Sequence, residues 1–227
     1  MRRWARQVLG HEFHDVALCE AALTHRSAAA GHNERLEFLG DAVLNCAVAR
    51  LLYEAQPTAD EGALSRLRAS LVNEDTLAQL AAQHQLGDHL RLGSGELKSG
   101  GFRRASILAD ALEALIGAIM LDAGFDAAAA AVRRLIEPRL RDLPSADALK
   151  DAKTRLQELL QGQAVALPAY NLTSVRGEAH SQVFAVSCEV ASMNLITTGE
   201  GSSRRRAEQL AADRVLAALP TASRVRP

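Results

Sequence analysis

Residues 33–45 (NERLEFLGDAVLN) carry side chains able to do chemistry at helical spacing. At ~3.6 residues per turn, Glu34, Glu37, Asp41 and Asn45 fall on one narrow stripe, with Leu36, Leu39 and Val43 off it. An ordinary amphipathic helix has a broad polar face with both signs of charge. This stripe is thin and acidic, edged by Phe38 and Leu44. Carboxylates crowded beside apolar surface hold their protons more tightly and cost stability unless a cation neutralises them. A hard divalent ion such as Mg²⁺ suits an all-oxygen set of this kind.

A second segment, residues 106–121 (SILADALEALIGAIML), is apolar all round and therefore reads as a buried core helix. Its only ionisable residues are Asp110 and Glu113, which share a face at i and i+3. Charged residues are almost never fully buried without a partner, and this helix carries no Lys or Arg to serve as one. Gly117, one turn further along that face, permits close approach of a neighbouring backbone. Together the two segments predict an all-carboxylate metal site of Glu37, Asp41, Asp110 and Glu113, with Glu34 nearby. The plainer alternative, surface carboxylates at helix starts, fits Glu34 after a capping Asn33 but fits Asp110 and Glu113 poorly.

The elements that must position these groups follow from pattern. Residues 1 to about 140 read as a succession of helices. Thr58-Ala59-Asp60-Glu61 resembles a capping box opening one helix over residues 62–83. Gly87 ends that helix, a short helix or turn follows near residues 88–92, and the glycine-rich residues 93–101 read as a mobile loop. That loop lacks the spacing of a phosphate-cradling loop, and Lys98 within it reads as solvated. A last helix of this region spans 126 to about 141. Residues 141–147 (RDLPSAD) have linker composition. Beyond them the period changes: helix over 151–161, strands over 169–176, 182–190 and 194–199, and a helix over 204–219.

Composition separates the same two regions. The 227 residues carry a net charge of −1, yet residues 1–148 hold 16 basic and 20 acidic side chains, and residues 149–227 hold 10 basic and 7 acidic. An acidic front and a basic back suit two domains with different tasks. No uninterrupted apolar run reaches the ~18 residues of a membrane span, and the basic start lacks the apolar core of a secretory signal. Cys19, Cys46 and Cys188 are odd in number and widely spaced, which fits a reducing compartment better than a disulfide or zinc framework. Ser202 and Ser203 followed by Arg204, Arg205 and Arg206 put hydroxyls and three guanidinium groups at a helix start, where backbone amides add to an anion site. Set in the α-β-β-β-α frame, that cluster points to nucleic acid rather than to a merely solvated charge run.

These residues resemble the bacterial ribonuclease III family. The front matches its nuclease domain in Thr24-His25-Arg26-Ser27, in the signature from Glu34 to Ala42, in Asp60-Glu61-Gly62, and in the run from Leu108 to Gly117. The back matches a double-stranded-RNA-binding domain in residues 153–158 (KTRLQE), in Gly177-Glu178-Ala179-His180, and in residues 201–209 (GSSRRRAEQ). The resemblance implies an all-α nuclease domain over 1–143, a linker over 144–150 and a small α+β RNA-binding domain over 151–221. It assigns metal binding and catalysis to Glu37, Asp41, Asp110 and Glu113, with Glu34 and Glu61 supporting in the same cleft. It implies a cytoplasmic homodimer with Phe38-Leu39 as a candidate contact, no membrane and no small organic cofactor. The expected reaction is Mg²⁺-dependent hydrolysis of both strands of double-stranded RNA, with Mn²⁺ as a substitute. The expected products carry 5′-phosphate and 3′-hydroxyl ends, and the expected substrates are ribosomal RNA precursors and structured messenger RNAs. His25 is expected to make structural hydrogen bonds rather than act as a base. In the back domain, Thr154, Gln157 and Glu158 are expected to meet one minor groove, His180 the next, and Ser203 with Arg204 to Arg206 the phosphates between. Two rivals stand beside this reading: a non-catalytic double-stranded-RNA-binding regulator that dimerises through its helices, and a different metal-dependent hydrolase such as a nucleotide phosphatase.

Overall fold

The computed structural model describes residues 2–143, 145, 149–178 and 181–219, which fall into two compact units divided between Leu149 and Lys150. His180, expected to touch RNA, lies outside the described residues, as do parts of the expected linker and the end of the expected RNA-binding domain.

The first unit is all helical: α1 (Arg2–Val8), α2 (Val16–Ala22), α3 (Glu34–Ala55), α4 (Glu61–Val72), α5 (Glu74–Gln83), α6 (Ser94–Lys98) and α7 (Ala105–Leu140). Its core is built by α3 and α7, which pack along one another and bury Val43, Leu44 and Val48 with Leu112, Leu115, Ile116 and Ile119. α7 is apolar and long enough to cross a membrane, with a window of mean hydropathy 1.7, contrary to the expectation from uninterrupted runs. The stretch concerned lies C-terminal to Glu113, and Asp122 and Asp126 interrupt it without making it polar. The core takes up part of this apolarity: residues from Ile107 to Ile119 are buried with few exceptions, and 44% of the apolar stretch is buried.

Several boundaries differ from expectation. The single helix predicted over 62–83 is two helices, broken at Asn73. Asn73 is extended (ψ 159°), its side chain accepts from the Thr76 amide at 2.9 Å, and its Nδ2 donates to the carbonyls of Ala69 and Ser70. Its short amide competes for backbone groups and so favours an end over an interior. No capping box opens α4: Asp60 accepts from the Ala63 amide at 2.6 Å, and Glu61 is the first helical residue. Asn33 precedes α3 in helical geometry, is buried, and makes no side-chain cap. Residues 93–101 are not an open loop but fold into α6 and the start of a 3₁₀ turn at Gly101–Arg103, fastened by Glu96 to Arg104 at 2.9 Å. α7 joins the two helices predicted over 106–121 and 126–141 across a kink at Gly124, whose φ of 83° suits glycine.

The second unit runs α8 (Ala152–Gly162), β1 (Ala169–Arg176), β2 (Val183–Val190), β3 (Leu195–Gly201) and α9 (Arg204–Ala218). The strands form one antiparallel sheet in the order β1-β2-β3, with a bulge between Leu172 and Ser174. Both helices cover one face, where Leu156, Leu160, Cys188, Val190, Ala211 and Val215 form the core. Asp151 caps α8 by accepting from Thr154, and Ser203 caps α9 by accepting from Arg206. None of the three cysteines is in a disulfide.

Candidate metal centre and RNA-binding face

The crossing of α3 and α7 is made by glycines. A Cβ on Gly40 would lie 1.8 Å from the Glu113 carbonyl oxygen, and one on Gly117 would lie 2.2 Å from that of Leu36. The two backbones therefore touch, as Gly117 predicted. Glu37 and Asp41 sit one turn before and one residue after Gly40, and Glu113 sits one turn before Gly117. Close packing thus delivers carboxylates from both helices to one spot. One oxygen each of Glu37, Asp110 and Glu113 lies within 4.8 Å of the others. All three side chains are half-buried, and none has a hydrogen-bond or ion-pair partner among the described residues.

The electrostatics follow from that crowding. Burial, and then the charges of Asp41, Glu37 and Asp110, push the Glu113 carboxyl up to about 8. Burial and the neighbouring Asp110 and Glu34 raise Glu37, with Arg26 opposing. Burial and Glu74 raise Asp110, with His25 and Arg26 opposing. Three carboxylates without a counter-ion are a standing cost, and a divalent cation is the group that removes it. The all-oxygen donor set fits Mg²⁺ or Mn²⁺.

The remaining predicted residues are placed less uniformly. Asp41 is exposed and stands outside the closest trio, although its charge is the largest acting on Glu113. Glu34 lines the same cleft of about 550 Å³ as Glu37 and Asp110, and pairs with Arg26 at 3.1 Å. Glu61 is not among the residues lining that cleft; its carboxylate accepts from Ser65 at 2.7 Å. His25 shares a hydrogen bond with Ser27. Arg26, Glu96 and Arg104 also line the cleft and were not predicted as site residues. Glu96 and Arg104 are paired across the folded 93–101 segment, which the sequence presents only as glycine-rich.

In the second unit, Gln157 and Glu158 are exposed and Thr154 half-buried on one face of α8, at i, i+3 and i+4. The basic start of α9 is differentiated. Arg204 reaches Glu208 at 2.9 Å, and the same buried Glu208 takes Lys153 at 2.5 Å. Arg206 donates to Ser202. Arg205 is exposed and makes no hydrogen bond or ion pair among the described residues, although its charge acts on Asp151. Glu158 is paired with Lys150. Lys153, the first residue of the matched 153–158 motif but given no role there, lies 4.5 Å over the Tyr170 ring, and its backbone amide donates to Gln209, tying α8 to α9.

A helical unit with a carboxylate cluster, followed by an α-β-β-β-α unit with a basic helix start, defines a nuclease domain joined to a double-stranded-RNA-binding domain. Residues 15–140 match the Ribonuclease-III-like family, and residues 152–219 match the double-stranded RNA binding motif. The chain is 58% identical to Ribonuclease 3 of Thiobacillus denitrificans over 214 residues, 94% of this chain and 95% of that one. It is 55% identical to Ribonuclease 3 of Actinobacillus succinogenes over 211 residues, 93% and 94% of the two chains. Among solved structures, the nuclease domain of ribonuclease III from Campylobacter jejuni is similar at a TM-score of 0.59 and 47% identity, covering 61% of this chain and 97% of that one. The chain belongs to the ribonuclease III family.

Proposed function

We propose that this protein is a divalent-metal-dependent endoribonuclease that hydrolyses both strands of double-stranded RNA to 5′-phosphate and 3′-hydroxyl ends. The observation that carries the reading is the meeting of Glu37, Asp110 and Glu113 within 4.8 Å with no hydrogen-bond or ion-pair partner among the described residues. Glu37, Asp41, Asp110 and Glu113 hold the ion, Mg²⁺ with Mn²⁺ as a substitute, and Glu34 supports them from the cleft wall. A bound divalent ion supplies charge neutralisation at the scissile phosphate and acidifies a water for attack. The protein's own part is placement. The glycine crossing fixes the carboxylates, and a divalent ion bound among them would favour the ionised form of Glu113, whose carboxyl is otherwise held up to about 8. Arg26 and Arg104 offset the negative charge that the cleft walls present to an incoming phosphate.

The second unit holds the duplex by shape. α8 offers Thr154 and Gln157 to a minor groove, and the start of α9 offers Arg205 and Arg206 to phosphates. Ser203 contributes through its cap, and Arg204 acts mainly through Glu208. The active form is a homodimer with Phe38 as an anchor, a cytoplasmic enzyme of ribosomal-precursor and structured messenger RNA. Phe38 is 82% exposed although it borders the acidic stripe, and the related C. jejuni nuclease domain has a region described as involved in dimer formation.

The test is cleavage of an end-labelled ~30-bp RNA duplex, long enough for one ~16-bp RNA-binding domain and the nuclease. Cutting in Mg²⁺, none in EDTA, and binding without cutting in Ca²⁺ is the expected pattern. Binding without cutting under every metal tried would favour the non-catalytic regulator instead.

A further inference from the structure

The acidic stripe of α3 ends in a neutral residue. Asn45 follows Asp41 by one turn, and its Nδ2 donates to Asp41 Oδ1 at 2.8 Å and to the Asp41 carbonyl at 3.0 Å. The bond to Oδ1 is the one hydrogen bond seen to the Asp41 side chain among the described residues, and Oδ2 has no partner there. Asn is a weak helix former, and its amide bonding back to the preceding turn loosens rather than strengthens a helix. At this half-buried position it therefore brings a local cost that a good helix former such as Ala would not.

We propose that Asn45 is a positioning residue for the metal centre: its amide holds Asp41 Oδ1 along the helix and leaves Oδ2 turned out as the ligand atom. The inference rests on the metal-centre reading above. Asp41 is the ligand candidate in most need of such a device. Glu37, Asp110 and Glu113 are confined by burial at the helix crossing, whereas Asp41 is exposed and its rotamers are otherwise free. An amide fixes the carboxylate without neutralising it. A Lys or Arg at this position would hold Asp41 equally well but would cancel the charge that attracts the cation. A carboxylate ligand held by a hydrogen bond from a neutral donor is a common arrangement around bound metals, and loss of such a donor typically costs ~10–100-fold in metal affinity.

The experiment is calorimetric titration of Mn²⁺ into the full-length protein without RNA, for the parent, Asn45→Ala, Asn45→Leu and Glu113→Gln. Both Ala and Leu are strong helix formers, so both variants fold, and Leu restores the volume that Ala removes. The expected result is a loss of about ten-fold or more in Mn²⁺ affinity for Ala and Leu alike, with melting temperature held or raised. In cleavage assays the same variants shift the Mg²⁺ requirement upward and recover most of the rate at saturating Mg²⁺. Recovery of affinity in Asn45→Leu but not Asn45→Ala would assign Asn45 to packing and overturn the inference. So would Mn²⁺ affinity within two-fold of the parent in both, while Glu113→Gln loses it. Retention of affinity in Glu113→Gln as well would sink the metal-centre reading, and this inference with it.

Discussion

Glu113 is where the opposing forces on this protein are most concentrated. Its carboxyl is pushed up to about 8 from an ordinary 4.5, first by burial and then by Asp41, Glu37 and Asp110. A raised carboxyl favours the folded state only while it keeps its proton. Its contribution is complete below about 4.5 and is lost as pH rises toward 8. Metal-free protein should therefore melt at lower temperature at pH 8 than at pH 5.5, and Glu113→Gln should flatten that slope, which calorimetry in EDTA measures. Because metal must displace the same proton, Mg²⁺ affinity should rise with pH up to about 8 and level off above it. In the RNA-binding unit, Arg205 is unpaired among the described residues while Arg204 is held by Glu208. Arg205→Glu should reduce the salt dependence of duplex binding by about one phosphate contact and leave Mn²⁺ affinity unchanged, as read by gel shift across a salt series. At this scale the sequence was legible wherever a charge conflicted with its surroundings. Asp110 and Glu113 stand out on an apolar helix without any structure. Arg26, Glu96 and Arg104 do not, because a charged residue in a polar segment gives no sign of which cleft it will line. The Arg204–Glu208 pair lies at i,i+4 within one helix and so was within reach of the spacing, whereas the Lys153–Glu208 pair joins two helices that no local pattern connects.

The element that does most to build the site is the α3–α7 crossing. Gly40 leaves no room for even a methyl group, since a Cβ would lie 1.8 Å from the Glu113 carbonyl oxygen and 3.0 Å from the Gly117 amide nitrogen. Gly40→Ala should force the helices apart, cost about 3 kcal/mol or more, and separate Glu37 from Glu113. Thermal unfolding should show the loss of stability, and Mn²⁺ titration the loss of affinity. A variant that kept both would mean that the crossing is looser than the backbone contact implies. Helical and strand periods revealed these elements well: β1 runs over the residues that alternation marks, and α8 and α9 lie within a residue or so of their expected ends. What periodicity missed was punctuation. Asn73 breaks a pattern that stays apolar on both sides, because capping by its side chain outweighs continuation of the helix. The glycines of residues 93–101 suggested an open loop, but the Glu96–Arg104 pair and a short helix close it, and that pairing links positions no local pattern connects.

At the scale of the whole molecule, charge and exposed apolar surface divide the labour. The front half is net acidic around its carboxylates and the back half net basic, so duplex RNA should be captured by the second unit and cut by the first. Phe38 presents an aromatic ring to solvent beside the acidic stripe, a cost that pairing with a second copy removes. Phe38→Asp should weaken self-association by at least ~30-fold, the ~2 kcal/mol expected of a buried aromatic anchor, as measured by sedimentation equilibrium. Unchanged association would remove Phe38 from the dimer contact. The two-unit division was readable from the change of period and of charge sign after residue 140. The membrane-like apolarity of α7 shows the opposite limit: composition alone cannot tell a core helix from a spanning one, and it is packing against α3, α5 and α2 that makes α7 a core helix.

The account stands or falls on whether the three gathered carboxylates perform the cleavage. The most direct measurement is single-turnover cleavage of duplex RNA by Glu113→Gln in saturating Mg²⁺, with gel shift and sedimentation on the same preparation. The prediction is a rate lower by on the order of 10³-fold or more, the several kcal/mol that a metal centre supplies, with RNA affinity and self-association intact. Cleavage at the parental rate by a folded, RNA-binding Glu113→Gln would contradict it.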